Sequence, residues 1–120
     1  MNTFRARLLV GSLAMATAQL AFAHAYPIFE TPGAGATVSP SQQEAAINFD
    51  DGLEPAFSSI KVTDAQGKSV TKSKAVVDST NAKHMSVQLN APAPGVYTVA
   101  WVAIATDGHR TQGHYTFSVK

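Results

Sequence analysis

Gly95-Val96-Tyr97-Thr98-Val99-Ala100-Trp101-Val102-Ala103-Ile104-Ala105 is apolar in both of its alternating phases. In an extended chain Val96, Ala100, Val102 and Ile104 share one face, and Tyr97, Val99, Trp101 and Ala103 share the other. Such a strand is expected to be central, either covered on both sides or closed into a barrel. Trp101, the sole tryptophan of the chain, is its largest core anchor. Further along, Gly113 to Val119 points Tyr115, Phe117 and Val119 inward, and His114, Thr116 and Ser118 outward. Before the central run, Met85, Val87 and Leu89 alternate with His84, Ser86 and Gln88, and Pro92-Ala93-Pro94-Gly95 stops that strand. Ala45, Ile47 and Phe49 form another half-buried strand, ending in Asp50-Asp51-Gly52. Ile60 and Val62 lead into Asp64-Ala65-Gln66-Gly67, a loop in which Gly67 supplies positive φ, and Val76-Val77 marks a short strand. Pro32-Gly33-Ala34-Gly35 and Ser39-Pro40-Ser41 are turns. Helical periodicity is absent beyond the first segment, apart from one turn expected over Pro55 to Ser58. The pattern predicts an all-β domain, a sandwich or a small Greek-key barrel.

Composition narrows the chemistry. The 120 residues are 45% hydrophobic and 14% charged, with a formal net charge of +1. That is the profile of a folded domain, not a disordered one. No basic stripe is available for a nucleic acid. Cysteine is absent, which excludes disulfides, thiolate zinc sites, iron–sulfur clusters and a cysteine nucleophile.

Residues 1–23 read as a secretory signal peptide. Arg5 and Arg7 give a positive start, Leu8 to Ala18 is almost wholly apolar or small, and Ala21-Phe22-Ala23 fits the small-x-small rule before a cut. The apolar run is shorter than the ~20 residues of a membrane span, and Thr17 and Gln19 dilute it. A second small-x-small pattern, Ala23-His24-Ala25, would place the cut before Tyr26 instead. The domain organisation expected is thus a leader over 1–23 and one β domain over 24–120. Export with no cysteine suggests a bacterial periplasmic or extracellular protein.

The chemistry-bearing residues lie at the two ends of this domain. Thr106-Asp107-Gly108-His109 connects the central strand to the last one. Asp-Gly-His in a loop is ordinary turn chemistry, but an imidazole and a carboxylate side by side also suit Cu(II), Zn(II) or Ni(II), and suit soft Cu(I) poorly. His24 makes the pair more specific. As a first residue it offers its α-amine and its imidazole Nδ1 to one metal. The amine, with a pKa near ~7.7–8, yields its proton readily. His109 adds a third nitrogen, the set favoured by tetragonal Cu(II), and Asp107 adds an oxygen that offsets the charge. A chain end of this kind is expected to be flexible until a metal orders it. His84 and His114 fall on outward phases and are expected to be solvated.

These pieces together resemble the CopC family of periplasmic copper-binding proteins. The resemblance runs through His24-Ala25, Thr31-Pro32-Gly33 with Gly35-Ala36, Phe49-Asp50-Asp51 and Glu54-Pro55-Ala56-Phe57-Ser58. It continues through Val62-Thr63-Asp64, Gly95 to Val99 with Trp101, Thr106 to His109, and Gly113 to Val119. It implies a Greek-key fold related to cupredoxins and immunoglobulin-like sandwiches. It also implies Cu(II) ligands at His24, Asp107 and His109, and a CopD-type inner-membrane copper transporter as partner. Some family members carry an acid after the strand at Phe49. Asp51 matches that position best, although it is shorter than the glutamate expected there. Others carry a methionine-rich loop for Cu(I), but after residue 23 this chain has only Met85, so a Cu(II)-only member is expected. The function expected is periplasmic copper sequestration or delivery by a non-enzymatic monomer. The alternatives are an oxidative copper enzyme of the polysaccharide monooxygenase type, which uses a similar nitrogen set, and a metal-free immunoglobulin-like module.

Overall fold

The structure, a computed structural model, describes residues 24–120. The leader expected over residues 1–23 lies outside the described residues. Eight strands follow in order: β1 (Pro27–Thr31), β2 (Thr37–Val38), β3 (Glu44–Phe49), β4 (Ser59–Thr63), β5 (Val76–Asp78), β6 (Asn81–Gln88), β7 (Gly95–Ile104) and β8 (Arg110–Val119). They form two four-stranded sheets, β1-β3-β6-β5 and β2-β8-β7-β4. The pairing is antiparallel except for β2, which runs parallel to β8. The sheets stay separate, so of the two architectures expected the molecule is the sandwich and not the closed barrel.

Alternation decides what lies between the sheets. Ala45, Ile47 and Phe49 of β3, beside Met85 and Val87 of β6 in the same sheet, face Ile60 and Val62 of β4 and Tyr115, Phe117 and Val119 of β8 across the core. Phe49 meets Trp101 edge-on, with ring centroids 5.4 Å apart, and Tyr97 stacks on Phe117 at 5.5 Å. Each such aromatic pair adds about 0.5–1.5 kcal/mol beyond the area it buries. Burial, with the Glu30 carboxylate nearby, pushes the Tyr115 phenol above its usual pKa, so this ring stays neutral inside the sandwich.

β7 departs from the sequence reading. It is an interior strand, hydrogen-bonded to β4 and β8, but only one of its faces is covered. Tyr97, Val99, Trp101 and Ala103 are buried, whereas Val96 and Ala100 are exposed and Val102 and Ile104 are half-buried. The apolar residues of the second phase therefore do not mark a second covering layer. Pro55 to Ser58 forms a turn, as expected. Strands β1 and β2 were not legible from periodicity.

One glycine sets the fit of the core. Gly113 pairs across the ladder with Trp101, and the indole lies directly over it. A Cβ there would come 2.7 Å from Trp101 Cζ2 and 2.9 Å from Cε2, so only glycine lets the ring lie flat against β8.

Candidate metal centre

Three segments converge at one end of the sandwich. The first is the β7–β8 connection. Ala105 N–H donates to the His109 carbonyl at 2.9 Å, and Gly108 N–H donates to the Ala105 carbonyl at 2.8 Å. Gly108 takes φ +89°, the left-handed step that a short hairpin loop needs. Asp107 Oδ1 accepts the His109 N–H at 3.0 Å. The turn chemistry expected of Asp-Gly-His is therefore present, and the same turn orients the candidate ligands. Asp107 Oδ2 lies 2.9 Å from His109 Nδ1, with the two side chains 32% and 37% exposed respectively. This close approach sets a carboxylate charge beside the His109 ring.

The second segment is the chain leading into β1. The His24 ring meets the His109 ring edge-on, with centroids 5.1 Å apart at 62°. On its other side Tyr26 lies at 5.8 Å. The backbone behind His24 is held, contrary to the flexible end expected. Ala25 is fully buried, and its carbonyl accepts the buried Thr111 hydroxyl at 2.5 Å. Tyr26 N–H donates to Asp50 Oδ1 at 2.7 Å, and Asp50 N–H donates to the Tyr26 carbonyl at 2.9 Å.

The third segment is the β3–β4 connection. It is tied to the β7–β8 turn by a bridge between Leu53 and Ala105 and by Thr106 N–H to the Gly52 carbonyl at 3.3 Å. Its two acids differ in use. Asp50 clamps Tyr26, while Asp51 Oδ1 accepts the N–H of its own neighbour, Gly52, at 2.8 Å. The role of Asp50 could not be read from the sequence, because adjacent acids at a strand end carry no sign of which one turns toward the first strand. Thr111 was missed for a related reason. A threonine in the inward phase of a strand resembles a core residue until its acceptor is seen.

His24, Asp107 and His109 are thus brought together pairwise, through His109. Among the described residues no three His, Asp or Glu side chains form a completed metal cage. The other two histidines lie elsewhere. His84, half-buried on the outer face of β6, contacts the side chain of Asn48 through Nδ1. His114 is exposed on the outer face of β8, opposite Ala100. Met85 is fully buried in the core.

Known proteins share this arrangement of chain. Protein YobA of Escherichia coli K12 is 38% identical over 120 aligned residues, which cover 96% of this chain and 97% of that one. Among solved structures, CopC from Methylosinus trichosporium OB3b superposes with a TM-score of 0.76 at 30% identity, covering 81% of this chain and 94% of the other. PcoC, a methionine-rich copper resistance protein from Escherichia coli, superposes with a TM-score of 0.72 at 29% identity, covering 82% and 100%. The CopC domain profile matches residues 28–120. With the sandwich, the loop end and nearly the whole described length accounted for in this way, the chain belongs to the CopC family.

Proposed function

We propose that this protein is a periplasmic Cu(II)-binding protein that sequesters or delivers copper, exported with residues 1–23 as its leader and active as a monomer of residues 24–120. The observation that carries the reading is the meeting of the His24 and His109 rings at 5.1 Å beside an Asp107 carboxylate 2.9 Å from His109. Once the chain is cut before His24, the amine and imidazole of that residue and the imidazole of His109 supply three nitrogens, and Asp107 supplies an oxygen. Nitrogen and carboxylate donors favour Cu(II). Asp51 is the further acid of the set, close in sequence to the loop end and matched to the family position by the resemblance. The copper-resistance role of PcoC supports the copper reading. PcoC is methionine-rich, whereas here the one methionine of the domain is enclosed in the core, which supports Cu(II) alone as cargo.

Copper here is cargo handed on, with a CopD-type inner-membrane transporter as the receiver. The site is taken as non-enzymatic because Asp107, as a ligand, would fill a copper position that an oxidative copper enzyme keeps open for its oxidant. The test is copper titration of the cleaved protein followed by electron paramagnetic resonance. One Cu(II) per chain in a tetragonal nitrogen–oxygen field, without intense thiolate colour, is the expected result. Equal affinity for the cleaved protein and for one carrying an extra residue before His24 would remove the terminal amine from the ligand set. Peroxide-driven oxidation of chitin or cellulose by the copper-loaded protein would replace the carrier reading with an enzymatic one.

A further inference from the structure

The backbone that carries His24 is held by hydrogen bonds of its own, one of them to the strand that begins just after His109. Thr111 lies two residues beyond His109, and both meet the same stretch of incoming chain. Thr111 takes the Ala25 carbonyl at 2.5 Å, and His109 meets the His24 ring. Thr111 is buried, at 9% exposure, and Ala25 is wholly enclosed. The Asp50–Tyr26 pair of hydrogen bonds closes the other side. Only the torsions of His24 itself separate its donor atoms from a rigid frame.

We propose that Thr111 is a positioning residue for the amino-terminal metal ligand. It touches no metal. Its hydroxyl holds the Ala25 peptide so that the His24 chelate is presented opposite His109 without first having to be ordered. The proposal rests on the Cu(II) reading above and assigns to Thr111 a share of the affinity beyond that of the ligands. A chain end ordered only on binding forfeits part of its gross interaction energy to conformational entropy. A residue that prepays this ordering resembles the outer partners of metal ligands, whose loss costs roughly 10–100-fold in affinity.

The test uses the cleaved protein and Cu(II) alone, with chelator competition at one pH. Thr111→Val keeps the branched shape and removes the donor, and it is expected to weaken binding by about 10–100-fold. Thr111→Ser restores the donor and is expected to recover most of the loss. Val62→Ala, in the core of β4 and away from the loop end, controls for general destabilisation and should lower the melting temperature without moving the affinity of the folded protein. Hydrogen exchange on the metal-free wild type gives a readout independent of any variant folding. The Tyr26 amide should already be protected, and it should lose protection in Thr111→Val. Wild-type affinity in Thr111→Val, or a Tyr26 amide that exchanges as in a free chain before copper is added, overturns the proposal. Absence of Cu(II) binding by the wild type, with the Tyr26 amide still protected, overturns the Cu(II) reading instead and leaves the clamp as a purely structural feature.

Discussion

His24 and His109 meet ring to ring at the loop end of the sandwich, whereas His84 and His114 lie on the outer faces of different sheets. The four side chains are chemically identical, and what separates them is where backbone can converge. On an outer face, side chains rise side by side from fixed strands, and each meets neighbours on the adjoining strands of its own sheet. For His84 that neighbour is Asn48 and for His114 it is Ala100. At the loop end, segments far apart in sequence turn toward a common point. There a carboxylate and two imidazoles can approach from different directions, as a metal's coordination geometry demands. A strand face can hold a histidine, but a set of ligands needs an end.

The comparison is open to test, and removing the ligands themselves should have the largest effect. His24→Ala and His109→Ala in the cleaved protein should each weaken Cu(II) by more than ~100-fold, exceeding what loss of an outer partner costs. Chelator competition measures this, and a smaller loss in either would break the contrast at its strongest point. Asp107→Asn comes next. It keeps the turn acceptor for the His109 N–H but removes the charge, so affinity should fall by about 10–100-fold while the melting temperature changes little. A large drop in melting temperature with unchanged affinity would make Asp107 a turn residue alone.

The two neighbouring acids sharpen the picture further. Asp50→Asn leaves an oxygen for Tyr26 N–H but weakens a charge-assisted bond, so it should mainly loosen the first strand, costing about 1 kcal/mol of stability. Asp51→Asn should act on Cu(II) with little change in stability, by about 10-fold or less. Thermal melts beside copper titrations separate the two, and a reversed pattern would exchange their roles. The smallest effect belongs to the outer faces. His84→Ala and His114→Ala should leave Cu(II) affinity within about twofold, on the order of 0.4 kcal/mol. A tenfold loss in either would mean that the sheet faces take part after all.

How much of this was legible beforehand varies with the kind of signal. Strands β3, β6 and β8 were readable because one face of each is core: Ala45, Ile47 and Phe49, then Met85 and Val87, then Tyr115, Phe117 and Val119. β1 was not, because a register shift between Pro27 and Phe29 leaves Ile28 and Phe29 both exposed and erases the alternation. β2 is two residues long, too short to show a period. In the candidate site, Asp107 and His109 announced themselves by spacing, and His24 by the end of the leader pattern. Ala25 did not, since an alanine beside a cleavage motif reads as part of the motif, yet it is a core residue. Its burial also bears on processing. A cut after Ala25 would strip the Thr111 hydroxyl of its acceptor, whereas a cut after Ala23 keeps the clamp whole.

The Thr111–Ala25 bond joins residues 86 positions apart, and it has a consequence for how such a protein is made. On the proposed reading, the segment bearing His24 leaves the export channel before the β7–β8 hairpin, so no copper centre of this design would exist on a nascent or partly threaded chain. In an unfolded chain the two halves of the site are separated by a long loop, whose closure carries an entropic cost. On that reading Cu(II) would select the finished fold over its precursors. By mass action it also stabilises what it selects, by about 2.7 kcal/mol when free metal stands at a hundred times its dissociation constant. A carrier of the proposed kind would be guarded against premature loading by the order of its own biogenesis.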